Sequence, residues 1–395
     1  MELDVARIRS GYPALAEGFV HFDGAGGTQP AAAVIDAIAA TMRTAVSNRG
    51  TAFAPARRSG EIVAAARAAV ADLVGGRPDG VVFGPSATAL TYLVARTLAQ
   101  GWGPGDEVVV SRLDHDANVR PWVQTGATIR WADVDLATGE LPVEQYRDLI
   151  GPRTRLVALT AASNATGAVP AVREIADLAH AAGALTYVDG VHATAHRPTD
   201  VAALGADFYV TSAYKWSGPH YAAVVADPAT WAPLEPVKLI PSPSTTPDRF
   251  EYGTLSFELL AGVTAAVDHL AALSPLAPAA LDRRARLTAS MTAVTAYENA
   301  LTDRLLAGLS DIDGVSILAA PAGRCPTVSF RLDGRPPAET ARILGEQNIC
   351  VSSGDYYAAE YFEAAGLRDT GGAVRASIYH YNTASEIDRL LDALS

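Results

Sequence analysis

The sequence predicts an α/β fold: a large domain with a mostly parallel sheet flanked by helices, then a smaller α+β domain at the C-terminal end. Apolar runs at Glu107–Ser111, Leu156–Ala161, Ala184–Val188 and Phe208–Thr211 punctuate the middle of the chain. Runs that are apolar along most of their length are typical of strands buried on both faces by flanking helices. A helical pattern joins two of them, and the texture changes after about residue 256.

In chain order, Val81–Phe83 is a short apolar run. The turn residues Gly84, Pro85 and Ser86 follow, then a helical pattern from Ala87 to Gln100 that Gly101 closes. From Ala171 to Ala182, Ile175, Leu178 and Ala182 share one helical face, and Gly183 stops the helix. Pro241–Pro247 reads as a loop. Beyond it, the spacing predicts a long helix over Pro278–Leu309, broken by Gly308 and Gly314. Thr327–Leu332, Ile349–Ser352 and Val374–His380 read as strands, and Pro337–Gln347 as a helix. The last helix carries Ile387, Leu390, Leu391 and Leu394 on one face. These elements divide the chain into a large domain over 21–265 and a small one over 1–20 and 266–395.

Composition narrows the partners. Hydrophobic residues make up 49% and charged residues 19% of 395, which is enough apolar material for a packed core. A net charge of -12 without a polybasic run argues against nucleic acid or an anionic membrane as partner. Met1–Leu15 mixes Glu2, Asp4, Arg7 and Arg9 with apolar residues, unlike a signal peptide. No apolar stretch reaches the roughly 18 residues of a membrane span. Two cysteines, Cys325 and Cys350, exclude a disulfide framework and a cysteine-rich metal site. The expectation is a cytoplasmic protein without a metal.

Four features fall at predicted strand ends, where open α/β sheets place their sites. Gly84–Thr88 is a turn feeding a helix N-terminus. Its backbone N–H groups at Ser86, Ala87 and Thr88 would cradle a phosphate, although the turn taken alone reads first as an ordinary helix cap by Ser86. Asp189 ends a buried run, facing a ligand or capping the next turn. Lys215 follows another buried run, between Tyr214 and Trp216. A lysine there loses solvation, so its pKa falls and its amine becomes nucleophilic. His115 follows the strand that ends at Ser111. Together the four meet the needs of pyridoxal phosphate: an amine for its aldehyde, an acid for its pyridine nitrogen, a phosphate site and a ring stacker. Lys215, Asp189, the Ser86–Thr88 turn and His115 would fill those parts in that order.

Seven short segments then carry a family resemblance. They are Phe22–Gln29, Asp114–Asn118, Ala162–Gly167, Val188–His192, Ser212–Lys215, Arg249–Thr254 and Val374–Ile378. In this order they resemble the class V aminotransferase family, on the fold-type I pyridoxal-phosphate scaffold, in its cysteine desulfurase-like subgroup. The resemblance implies that Lys215 holds the cofactor covalently and shuttles the substrate Cα proton. It implies that Asp189 pairs with the pyridine nitrogen and His115 stacks on the ring. Thr88, Ser212 and Tyr214 would hold the phosphate, Tyr214 replacing a histidine common in desulfurases. His192 would bond the phenolic oxygen. Asn164 would approach the cofactor or the substrate carboxylate, and Arg375 would clamp that carboxylate. Gly253 and Thr254 would reach the partner subunit's phosphate, which implies a homodimer with shared active sites. Asn48 and Arg49 would lie near the site entrance.

One departure shapes the expected reaction. Desulfurases carry a thiolate on a loop before the carboxylate-binding arginine. Here Val351–Tyr361 contains no cysteine, and Tyr356 or Tyr357 stands about where it would be. Cys325 and Cys350 read as buried, inert thiols. The expected function is therefore Cα deprotonation of an α-amino acid, with a desulfurase-like lyase favoured but without the persulfide step. An aminotransferase and an amino-acid epimerase are the alternatives within the family. A non-catalytic binding protein that retains the fold is the alternative outside it.

Overall fold

The computed structural model describes residues 3–274 and 280–395. Its strands are β1 (Val20–His21), β2 (Val81–Gly84), β3 (Glu107–Ser111), β4 (Thr128–Ala132), β5 (Thr154–Thr160), β6 (Leu185–Asp189) and β7 (Phe208–Ser212). They continue as β8 (Ala222–Val225), β9 (Val315–Leu318), β10 (Thr327–Leu332), β11 (Ile349–Cys350), β12 (Ser352–Gly354) and β13 (Ala373–Ser377). Seven form one sheet in the order β2-β8-β7-β6-β5-β3-β4. From β4 to β7 neighbours run parallel; β8 is antiparallel to both β7 and β2.

Helices cover both faces, and strand alternation explains why. Val81, Phe83, Val109, Val157 and Leu159 point into one core. The helices Ala32–Arg43, Ala54–Val74 and Phe257–Ala271 pack on that side. Val82, Val108, Val110, Leu156 and Ala158 point into the other, with Leu90 and Val94 of the helix Ala87–Leu98. A second sheet, β12-β13-β10-β9, is wholly antiparallel. Its core joins Val328, Phe330 and Val374 to Leu305, Ile387 and Leu390.

Several expected elements differ in instructive ways. Ile349–Ser352 is not one strand. β11 pairs parallel with β1, while β12 pairs antiparallel with β13, so the chain passes from one sheet to another at Val351. Val374–His380 ends early, at Ser377; beyond it Tyr379 N donates to Asn382 Oδ1 at 2.8 Å. The expected start of the long helix, Pro278, lies outside the described residues. The helix runs from Arg283 to Ser310 and is capped by Asp282, whose Oδ1 accepts from Ala285 N at 2.7 Å. Gly308 does not break it. A Cβ there would sit 2.2 Å from Leu391 Cδ1, so the glycine lets the last helix, Ala384–Leu394, approach closely. β4 and β8 escaped the sequence reading. β4 is a mostly half-exposed edge strand with Arg and Thr in it, and β8 is four residues long.

Asp189 ends β6, and Gly190 runs against the Tyr209 ring of the adjacent β7. A Cβ on Gly190 would lie 1.8 Å from Tyr209 Cζ. Gly190→Ala is expected to destabilise the protein by about 1–3 kcal/mol through overpacking. Urea unfolding measures this, and an unchanged midpoint would contradict the packing.

Candidate active site

The carboxyl ends of β3, β5, β6 and β7 and the N-terminus of the helix Ala87–Leu98 converge on one cavity of about 710 Å3. Ser86, Ala87, Thr88, His115, Asn164, Asp189, His192, Ser212, Tyr214, Lys215 and Arg375 all line it. Gly253 and Thr254 do not. They line a second cavity of about 460 Å3 with Asn48, Arg49 and Asp248. That cavity is ordered by ions: Arg67 donates to Asp248 at 2.6 Å and to Glu251 at 2.7 Å, and Glu251 accepts from Phe83 N at 3.0 Å.

Each wall has a local cause. Ser86 caps its helix, Oγ accepting from Ala89 N at 3.1 Å, so the bland reading of that hydroxyl holds. Thr88, in the first helical turn, is exposed to the cavity. After β3 the chain turns on the buried Asp114, which accepts from Ser111 Oγ and, at 2.7 Å, from Asn118 Nδ2. Asn118 Oδ1 accepts from Trp122 Nε1 at 3.2 Å. Burial pushes the Asp114 carboxyl up to about 8, against the hydrogen bonds it accepts. This turn presents His115, whose Nδ1 accepts from Ala117 N at 3.0 Å, which leaves the ring proton on Nε2. Burial, then the charges of Lys215 and Arg375, push the His115 imidazole down to about 4, so it is neutral at pH 7.

β6 and β7 are parallel neighbours, and Asp189 and the Lys215 turn leave them on the same edge. Asp189 Oδ1 accepts from Val191 N at 2.9 Å. Burial raises its carboxyl to about 6, opposed by that bond and by Lys215. Lys215 Nζ donates to Ala25 O and lies 4.9 Å from the Tyr214 ring centroid. Burial, then Arg375, pushes the Lys215 amine down to about 7, against the pull of Asp189. His192 is buried, with Nε2 at 3.0 Å from Thr327 Oγ1. Burial and the neighbouring His196 push it well below the ordinary histidine range, so it too is neutral.

Arg375 sits mid-sheet on β13 and is 3% exposed. Nη1 donates to Asn164 O at 2.9 Å, Nη2 donates to Ser352 Oγ at 3.4 Å, and the guanidinium lies 4.4 Å from the Tyr356 ring centroid. Its Nε and the Asn164 Oδ1 are buried without hydrogen-bond partners. No carboxylate among the described residues forms an ion pair with it. A buried cation is costly unless an anion joins it. An anion bound here would satisfy the guanidinium, and this wall lines the same cavity as Lys215 and Asp189. The site thus brings together an amine, an acid, a helix N-terminus and a buried arginine, a set that fits pyridoxal phosphate with an amino-acid substrate.

The sequence reading missed several lining residues. Asp116 and Arg120 form an ion pair at 2.7 Å, and Arg120 Nη2 also donates to Glu360 Oε1. The two partners of that last contact are 240 residues apart, so spacing could not signal it. Composition held one unused signal: only two of the chain's 31 lysines and arginines are lysine, Lys215 and Lys238. Cys325 is buried, as expected, whereas Cys350 is half-exposed rather than in the core; neither lines the cavity.

The fold and this lysine-centred cavity define a class of α/β enzyme. The chain belongs to the class-V aminotransferases, whose family match spans residues 20–390. Membership makes it a pyridoxal-phosphate-dependent enzyme of that class. It is 38% identical over 405 residues to the uncharacterized protein MT3887 of Mycobacterium tuberculosis, covering 100% of this chain and 99% of that one. It is 33% identical to a probable cysteine desulfurase of Pseudomonas aeruginosa, covering 98% and 96% of the two chains. Among solved structures, the cysteine desulfurase CsdA of Escherichia coli is similar at a TM-score of 0.86 and 26% identity, covering 100% of this chain and 98% of that chain.

The depressed Lys215 amine gives a direct expectation. Its unprotonated, reactive form is present above about pH 7 and is lost below it. Acetylation by acetic anhydride, followed residue by residue in the cofactor-free protein, should show a Lys215 midpoint near pH 7, with Lys238 as internal reference. In Arg375→Leu the midpoint should rise, because a neighbouring positive charge is gone. A Lys215 midpoint that stays in the ordinary lysine range would contradict the burial of its charge.

Proposed function

We propose that the chain binds pyridoxal phosphate on Lys215 and deprotonates the Cα of an α-amino acid, as a desulfurase-like lyase that works without a persulfide cysteine. The observation that carries this reading is the shared cavity. It holds an amine with a pKa of about 7, a carboxylate, and a buried arginine that forms no ion pair among the described residues.

When bound, pyridoxal phosphate supplies a protonated ring that accepts the electron pair released at Cα. The protein residues do the rest. Asp189 holds a proton at the pyridine nitrogen, and its level of about 6 leaves it largely anionic at pH 7. Neutral His115 would pack on the cofactor ring without adding charge. Ser86, Ala87, Thr88, Ser212 and Tyr214 would hold the phosphate, and His192 would bond the phenolic oxygen. Arg375 and Asn164 orient the substrate by its carboxylate, with the planar fork suited to two oxygens. Lys215 Nζ, whose burial lowers its pKa to about 7, takes the Cα proton and can return it. Gly253, Thr254, Asn48 and Arg49 are proposed to meet the phosphate end of a partner subunit's site in a homodimer. Their cavity is separate from that of their own Lys215.

The thiols support elimination over persulfide transfer. Burial pushes Cys325 up to about 12, and Cys350 is also raised by burial; a persulfide-forming thiol needs the opposite shift. Expression as a cytoplasmic enzyme acting on a small amino acid fits the acidic composition. Product analysis tests the reaction. Pyruvate released from cysteine-like substrates without an acceptor means elimination. Acceptor-dependent 2-oxo acid means transamination, and Cα deuterium uptake with racemisation means epimerisation.

Two substitutions sharpen the reading. Arg375→Ala should raise KM for carboxylate substrates and cost about 2–5 kcal/mol in kcat/KM; unchanged kinetics would show the clamp to be misassigned. The double variant Cys325→Ser and Cys350→Ser should keep its turnover. A folded but inactive double variant would restore the persulfide route.

A further inference from the structure

The most strained backbone bordering the cavity is Gly354–Tyr357. Gly354 has φ +117°, and the adjacent Tyr356 and Tyr357 have φ +52° and +60°. Side chains rarely adopt this left-handed region, and two in succession persist only where their surroundings over-determine them. Here they do. Asn164 Nδ2 donates to Tyr356 O at 2.9 Å, and Tyr356 Oη donates to Ala373 O. Asp116 N donates to Tyr357 O at 2.7 Å, and Tyr357 N donates to Asp355 Oδ1 at 3.1 Å. The Arg120–Glu360 contact ties the His115 turn to the helix Ala359–Ala364 that follows the strained segment.

The strain places two rings. Tyr356 lies against the Arg375 guanidinium. Tyr357 stacks on His115 with centroids 5.4 Å apart and planes at 21°, and it remains 72% exposed where it lines the cavity. The charges nearby are already matched, since Asp116 and Arg120 pair with each other and Arg120 also pairs with Glu360. Beside them stand Tyr92, Ala117 and Gln124, all neutral. Arg375 is thus the cation left for a substrate carboxylate, and no unpaired charge among these neighbours awaits a charged side chain. The cavity of about 710 Å3 lies within the roughly 300–1,000 Å3 range of small-molecule sites, so volume does not restrict the substrate to a side chain as small as cysteine's.

We propose that Tyr357 is a specificity-determining residue whose ring, backed by His115, selects neutral S-substituted cysteines, in which an apolar or aromatic group extends beyond the sulfur and leaves with it as the thiol. This deepens the proposed function and rests on its assignment of Arg375 as the carboxylate clamp.

Unreactive acids test binding apart from turnover. The probes are propanoate, succinate and 3-phenylpropanoate, titrated calorimetrically into the holoenzyme. Aromatic contact in the cavity is expected to make 3-phenylpropanoate bind about ten-fold more tightly than propanoate or succinate. Tyr357→Asn, which tolerates a left-handed backbone, should erase that preference, and Tyr357→Phe should keep it. Equal binding of the three acids, or a preference that survives in Tyr357→Asn, overturns the proposal. Should Arg375→Ala bind propanoate as the wild type does, the clamp itself fails and this inference falls with it. A lost preference together with intact propanoate binding therefore isolates Tyr357.

Discussion

The active site depends on an acid and an amine that line one cavity and act on each other electrostatically. β6 and β7 are parallel neighbours, so the residues that leave their carboxyl ends enter the same cavity. One strand delivers Asp189 and the other the turn carrying Lys215. Burial drives the two groups toward each other on the pH scale, the acid up to about 6 and the amine down to about 7. Each also stabilises the other's charged form, which keeps the shifts from growing further. A pair poised so near neutrality changes protonation at little energetic cost, as a site that moves one proton requires.

Arg375 adds a second constraint. Its positive charge acts on Lys215, and it forms no ion pair with a carboxylate among the described residues. In the absence of an anion this arrangement opposes protonation of Lys215; when a carboxylate arrives, part of that opposition is relieved. With Arg375 as the proposed carboxylate clamp, substrate binding and the basicity of Lys215 would be linked through one guanidinium. The strained tyrosine segment completes the wall: one ring packs on the guanidinium and the next lines the cavity. Backbone strain is kept where it positions chemistry, and hydrogen bonds from Asn164 and Asp116 hold it there.

Much of this was legible in the sequence because burial writes clear signals. Val108–Val110 and Leu156–Leu159 are apolar at successive positions, so both faces of their sheet had to be covered. Once those strands were placed, their ends located Asp189, Lys215 and His115. Where burial is partial, the signal fades. The edge strand β4 reads Thr-Ile-Arg-Trp-Ala, without a clean period. Gly308 resembled a stop, yet it is a close contact with Leu391, a distinction that only a neighbouring helix can make. Ile349–Ser352 looked continuous because β11 and β12 differ only in their partners. Ion pairs such as Arg120 with Glu360 and the buried isolation of Arg375 are properties of the assembled fold alone.

The most direct measurement is to reduce the pyridoxal-phosphate-loaded protein with borohydride and map the modified peptide by mass spectrometry. With only Lys215, Lys238 and the N-terminus as candidate amines, the result is unambiguous. The account predicts one phosphopyridoxyl group per chain, on Lys215, with its yield sharply reduced in Asp189→Ala. A label on Lys238 or the N-terminus, or none at all, would contradict it.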